Sequence, residues 1–305
     1  MVPYFLRRFA EMLIALWLMS MIVFALGRAT GDPVALLLNE YASDQDRIEL
    51  TQELGLDKPV VTQYAIFIKQ ALQGDLGVSV SGDRRPALEL IAERLPASLL
   101  LAVTALIVSI VIGIPLGVLA AVNRDTWIDG AARLAALLGQ SVPVFWLGIV
   151  LMYLFSVTLG WLPTSGYGEW RHLVLPAVSM GLFTIAAIAR LVRVGMIEAL
   201  QSEYVKLARI KGLSETTVVW KHALRNSLLP VLTYMGAFFA TMITGAVVVE
   251  TVFAWPGIGR LAYESIMNRD FPVMQAVVLT MTVLFMLANL IVDIAYARLD
   301  PRIRQ

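Results

Sequence analysis

The chain has 305 residues, 58% of them hydrophobic and only 15% charged, with a formal net charge of +1 and a mean hydropathy of +0.74. Soluble domains carry about a quarter charged residues, so this composition describes an all-α, polytopic membrane protein, and so small a net charge gives no reason to expect a nucleic-acid partner. The absence of cysteine removes disulfides, thiolate metal sites and cysteine nucleophiles, and the two histidines, His172 and His222, are too far apart in sequence to suggest a metal site.

A membrane-crossing helix needs about 20 mainly apolar residues. Six segments qualify, at 9–27, 97–122, 134–160, 173–195, 228–249 and 273–295. The first follows Arg7-Arg8, and its apolar run from Met12 to Gly27 is at the long limit for a secretory signal, so it is read as a retained span. The region 28–96 is long enough to fold partly on its own. Thr30-Gly31-Asp32-Pro33 predicts a turn, Ser43 caps a helix towards Leu54, and Pro59 opens a second helix. In that helix Val60, Tyr64, Phe67, Ile68 and Ala71 form one apolar stripe, and Gly74-Asp75-Leu76-Gly77 ends it. Pro86 then starts an amphipathic lead into the second span.

Span two carries Ser109, Gly113, Gly117 and Ala121 at every fourth position, and span five carries Gly236, Ala240 and Thr244. In lipid such small-residue ladders let helix backbones approach closely, within one subunit or between two. Pro115, Pro143, Pro176 and Pro230 lie in or beside spans, where they bend helices and free carbonyls.

The longest polar interruption of the C-terminal two-thirds is Glu203–Pro230. Gly212 takes the left-handed position that stops one helix, Ser214 caps the next, and Glu215 suits the positive end of its dipole. Leu200, Tyr204 and Leu207 share a face, while Lys206, Arg209 and Lys211 supply charge. The pattern predicts two short basic helices meeting at an angle. A loop that merely sets topology and a docking surface both fit it.

Short-loop Lys/Arg bias sets orientation. With the N-terminus inside, the cytoplasmic segments hold Arg7, Arg8, Arg124, Arg133, the 190–225 cluster, Arg298, Arg302 and Arg304, and the two short outer loops only Arg171, Arg260 and Arg269. Both termini and the 203–230 stretch are therefore expected in the cytoplasm. The outer loop after span five runs Glu250-Thr251-Val252-Phe253-Ala254-Trp255-Pro256-Gly257-Ile258-Gly259, where Trp255 suits a membrane interface and Pro256-Gly257 forces a turn.

No Gly-Lys dipeptide, G-x-S-x-G elbow or H-E-x-x-H occurs, so the chain shows no catalytic site of its own. The charged residues Glu11, Arg190, Glu250 and Asp293 lie near the ends of spans. Ion-coupled carriers keep ionisable groups at depth, so a secondary carrier or channel is disfavoured, and the energy must enter from elsewhere. A membrane scaffold that transports nothing is not excluded.

Tyr204-Val205-Lys206-Leu207-Ala208-Arg209-Ile210-Lys211-Gly212 and His222-Ala223-Leu224-Arg225-Asn226 resemble the coupling loop of ATP-binding-cassette (ABC) importer permeases, in its dipeptide, oligopeptide and nickel version. Ala208 and Gly212 fit the general EAA-x3-G pattern, whereas Lys206 stands at the glutamate and His222-Ala223-Leu224-Arg225 replaces Ile-x-Leu-Pro. Leu54-Gly55-Leu56-Asp57-Lys58-Pro59, Gly74–Gly77, Gly113-Ile114-Pro115-Leu116-Gly117, Glu250–Gly259 and Asn268-Arg269-Asp270-Phe271-Pro272 are similar to the first, B-type subunit. So are Asn289, Asp293, Tyr296 and Asp300-Pro301-Arg302.

The resemblance implies a type I importer permease of the bacterial inner membrane. The expected parts are a span at 1–27, a periplasmic region at 28–96, a permease core at 97–295 with a coupling loop at 196–230, and a tail at 296–305. Expected partners are a homologous second permease, two cytoplasmic ATPase subunits that hold ATP and Mg, and an extracytoplasmic solute-binding protein. Glu203, Tyr204, Lys206, Leu207, Ala208, Arg209, Lys211, Gly212, Leu213, His222 and Arg225 would dock the ATPase. Glu250, Trp255, Pro256, Gly257 and Gly259 would form the outer mouth, and Gly113, Gly117 and Gly236 would pack helices. Relatives of this kind carry dipeptides, longer peptides, glutathione or nickel complexes.

Overall fold

A computed structural model of the chain describes residues 2–29, 43–53, 55–81 and 84–299. The turn predicted at Thr30–Pro33, Leu54 and the motif Asp300-Pro301-Arg302 lie outside the described residues. The described helices are α1 (Val2–Ala29), α2 (Asp44–Glu53), α3 (Val60–Leu72), α4 (Ala87–Val122), α5 (Trp127–Ser141) and α6 (Val144–Leu151), the last continued by a π-helical segment, Met152–Thr158. They continue with α7 (Trp170–Leu200), α8 (Glu203–Ile210), α9 (Leu224–Gly245), α10 (Val247–Val252), α11 (Ile258–Met267) and α12 (Phe271–Leu299). Among the described residues, four helices are long and apolar enough to cross a membrane, or up to six if each of two bent pairs counts as one span.

The bent pairs refine the six expected spans. The segment 134–160 is not straight: α5 and the helix after Pro143 meet at 108°. Proline lacks the N–H that would continue α5 and pushes the preceding Val142 into extended backbone (ψ 126°). Pro230 produces a gentler 49° bend. The N-terminal lead of span two is helical throughout, so α4 is 36 residues long.

Two packing units are present, Met1–Pro96 with Gly257–Leu287, and Ala97–Pro256 with Ala288–Gln305. In the first, Ala87, Ile91, Ile258, Leu261, Val273, Ala276 and Val277 form a buried cluster. The α3 stripe docks only in part. Tyr64 and Phe67 pack around Phe24 of α1, at ring-centroid distances of 5.4 and 5.6 Å, and the Ser20 hydroxyl lies 2.7 Å from that of Tyr64. Val60, at one end of the stripe, is exposed. The N-R-D-F-P motif has a structural use here. Buried Asp270 caps the start of α12 through the Val273 N–H (3.4 Å) and accepts hydrogen bonds from the hydroxyls of Ser79 and Ser81, the latter at 2.7 Å.

The second unit is built on α4, α7 and α9. Its cluster joins Val118 and Ala121 of α4 to Ile188, Val192, Met196 and Ala199 of α7, and both to the 203–231 stretch. The ladder on α4 explains the approach. A Cβ added at Gly117 would stand 2.6 Å from the Ala189 carbonyl oxygen, and one at Gly113 2.9 Å from that of Ile185. The Ser109 hydroxyl donates to the Gly181 carbonyl at 3.1 Å. The second ladder likewise meets a helix of its own unit, with Gly236 against Val292.

Candidate functional site

The 203–230 stretch is fixed to the second unit by one side of α8. Val205 is fully buried and Ala208 nearly so, and both join Val218, Val219, Ala223 and Leu224 in the cluster around Met196 and Ala199. Full burial of a valine contributes about 1.5 kcal/mol, so the stretch is anchored rather than loose. The other side of α8 faces outward, with Tyr204 40%, Leu207 52% and Ile210 82% exposed. Leu200, placed with them by periodicity, instead packs against the buried cluster.

Gly212 ends α8 as the spacing predicts. Its φ is +78°, its N–H donates to the Arg209 carbonyl at 2.9 Å, and the Leu213 N–H donates to that of Ala208 at 3.3 Å. This is a Schellman cap, which needs a left-handed residue at the glycine. Ser214 then caps the next turn by accepting from the Thr217 N–H at 3.4 Å.

Two features differ from the sequence reading. No second short helix stands alone: the turn Glu215–Thr217 runs through a π-helical segment, Val218–Ala223, directly into α9. No proline or glycine lies between Leu213 and Pro230 to stop it. Glu215 also does more than face a helix dipole. It takes two bonds from Arg209, at 2.7 and 3.2 Å, across the Gly212 turn, and holds that guanidinium above its ordinary pKa. Lys206 pairs with Glu203 at 2.8 Å, while Lys211, Leu213 and Arg225 are exposed and His222 is half-buried.

The segment after α9 departs further. Trp255 is 1% exposed, its indole N–H donates to the Ala97 carbonyl at 2.9 Å, and Tyr167 meets it edge-on at 4.8 Å, so it is a packing residue and not the interfacial anchor expected. Glu250 is completely buried and accepts from the Ser98 hydroxyl at 2.6 Å. The turn is made earlier than Pro256-Gly257: Ala254 has φ +50° and the Trp255 N–H returns to the Glu250 carbonyl at 2.8 Å. Gly257 is extended at the start of α11, and Gly259 is buried in that helix.

Two further features escape a linear reading. Asp129, fully buried on α5, accepts from Arg193 Nε at 2.5 Å and Nη2 at 2.7 Å, across 64 positions. A groove of about 420 Å3 is lined by Val144, Phe145, Met180, Phe183, Phe238 and Thr241 among others, with Tyr234, Phe238 and Phe183 stacked at 5.2 and 5.3 Å. It presents aromatic faces and a hydroxyl but no charge.

Comparison with known proteins bears on these surfaces. Residues 113–305 match the model of the binding-protein-dependent transport system inner membrane component, and residues 1–102 match that of its N-terminal region. The glutathione transport system permease protein GsiC of Escherichia coli O6:H1 (strain CFT073) is 42% identical over 306 residues, covering 100% of this chain and 99% of that one. The protein of the same name from Salmonella choleraesuis is 42% identical over 305 residues, with the same coverage. Among solved structures, the inward-facing MetNI methionine ABC transporter matches with a TM-score of 0.58 at 20% identity, over 70% of this chain and 97% of that chain. An amino acid ABC transporter with histidines matches with a TM-score of 0.54 at 16% identity, over 69% and 94%.

Proposed function

The chain belongs to the family of binding-protein-dependent transport system inner membrane components, and on that premise we propose how its surfaces serve an importer. It is a multi-pass permease subunit that forms part of an ABC importer's translocation pathway, and it lacks a catalytic ATPase domain. Our reading assigns α8 and the Gly212 turn to docking on a cytoplasmic ATPase. The observation that carries this is the division of α8 into two faces, with Val205 and Ala208 buried and Tyr204, Leu207 and Ile210 outward. A membrane protein gains nothing by holding an apolar face in water, so such a face fits a partner's groove. The Arg209–Glu215 pair stiffens the turn on which that face ends.

In this reading ATP-driven closure of two ATPase subunits moves α8. Because α8 shares a buried cluster with α7 and α4, the displacement passes to the spans as alternating access. A homologous second permease completes the path, and an extracytoplasmic solute-binding protein delivers solute near residues 250–259. Residues 1–27, 28–96 and 97–295 serve as first span, outer region and permease core, with both termini on the ATPase side. The groove at Phe183, Phe238 and Thr241 supplies part of the wall of the path. An uncharged aromatic wall suits peptides or related small solutes, the class to which the glutathione named for the relatives belongs.

The test is copurification and reconstitution. Expressed with the proposed partner subunits, the chain should retain an ATPase and support ATP-dependent uptake of a peptide bound to the binding protein. Uptake that persists without the ATPase, driven by an ion gradient, would refute the reading in favour of a secondary carrier.

A further inference from the structure

A cavity of about 440 Å3 lies in the second unit between the last turns of α4, the middle and later turns of α5 and the later part of α7. Arg133, Arg190 and Arg193 line it together with Leu116, Leu137 and Val194, and no acidic residue does. The nearby carboxylate is already committed. Asp129 takes both of its short bonds from Arg193 and one from the Asp125 N–H (3.2 Å), leaving Arg133 only a 3.6 Å approach. Arg190 makes no ion pair with any described residue. Three guanidiniums thus line a cavity whose nearby buried carboxylate is taken up by Arg193, and apart from Gln140 the remaining wall is hydrocarbon.

That combination specifies an occupant with a compact anionic head and an apolar body. Arg190 and Arg193 stand at the end of the predicted span 173–195, where a phospholipid headgroup would lie. We propose that the cavity binds an anionic phospholipid, its phosphate between Arg133 and Arg190 and an acyl chain against Leu116, Leu137 and Val194. The apolar wall favours a lipid over free phosphate, for which hydrocarbon offers no partner. The site also has a route to the docking surface, because α7 runs from Arg193 to Leu200, next to α8.

The test uses the full chain purified with its partner subunits in phosphatidylcholine nanodiscs. Spin-labelled phosphatidylglycerol is the probe, and immobilised label is the readout. Wild type should retain phosphatidylglycerol in preference to spin-labelled phosphatidylcholine. Arg190→Gln and Arg133→Gln should each lower that retention about fivefold, the effect of one arginine on an anionic lipid. Leu137→Trp, which fills the cavity but keeps the arginines, should also lower it. Equal retention of the two lipids by wild type would overturn the proposal and requires no variant to fold. So would displacement of the label by inorganic phosphate, which would identify a simple anion site. Displacement by a peptide solute would instead assign the arginines to the transport path, and would likewise overturn it.

Discussion

Substituting valine for Gly212 separates a turn that transmits force from one that only reverses the chain. The residue sits at φ +78°, and a Cβ built there meets no atom within 4 Å, so the subunit itself has room for a side chain. The cost is therefore backbone strain, about 1–2 kcal/mol for an L-residue in the left-handed region, with β-branching at the upper end. Since 1.4 kcal/mol is tenfold, the capped turn loses stability by about five- to thirtyfold relative to its opened form. Val205 and Ala208 remain buried, so α8 stays attached and membrane insertion is unaffected. Hydrogen exchange at the Leu213 amide, which closes the cap, should accelerate by that same factor. In reconstituted complexes at matched expression, stimulation of ATPase activity by the loaded binding protein should fall, with Gly212→Asn in between because asparagine tolerates this conformation. Full coupling in the Gly212→Val complex, with the exchange rate raised, would refute the reasoning and leave the stretch as a topology signal.

Other changes probe the frame around that turn. Asp129→Ala leaves Arg193 without its buried partner and should destabilise the second unit by about 3 kcal/mol, read as a lower melting temperature in detergent. Gly117→Val would drive a side chain into the Ala189 carbonyl and Val192, and should cost about 1–3 kcal/mol, whereas Gly130→Ala, inside α5 with nothing within 4 Å, should raise the melting temperature by an amount worth about 0.5–1 kcal/mol. Ser43→Cys, in a chain with no cysteine of its own, should react with a membrane-impermeant maleimide from the side opposite Gly212→Cys. Labelling of both from one side would overturn the proposed orientation.

The spans were legible because a bilayer demands long apolar runs, and Gly212-Leu213-Ser214 was legible because stop and cap signals are local. The same locality marked Pro143 as a bend within the expected span 134–160, although the 108° angle depends on what α5 and α6 pack against. Contacts between distant positions left no local trace. The Asp129–Arg193 pair spans 64 positions, and each residue alone reads as an ordinary loop-side charge. Trp255 was misplaced for a related reason. Its amphipathic ring suits an interface, but its N–H had a buried partner at Ala97, 158 positions away. The continuous helix from Glu215 was readable in principle, since no breaker precedes Pro230.

The central claim is that the outward face of α8 meets an ATPase, and site-specific crosslinking tests it most directly. Single cysteines at Leu207, Ile210 and Ala208, each carrying a photoactivatable group, would be illuminated in the assembled importer. Positions 207 and 210, 52% and 82% exposed, should yield covalent adducts with the ATPase subunit, and buried 208 should not. Adducts from 207 and 210 confined to lipid, or absent in an active complex, would contradict the account.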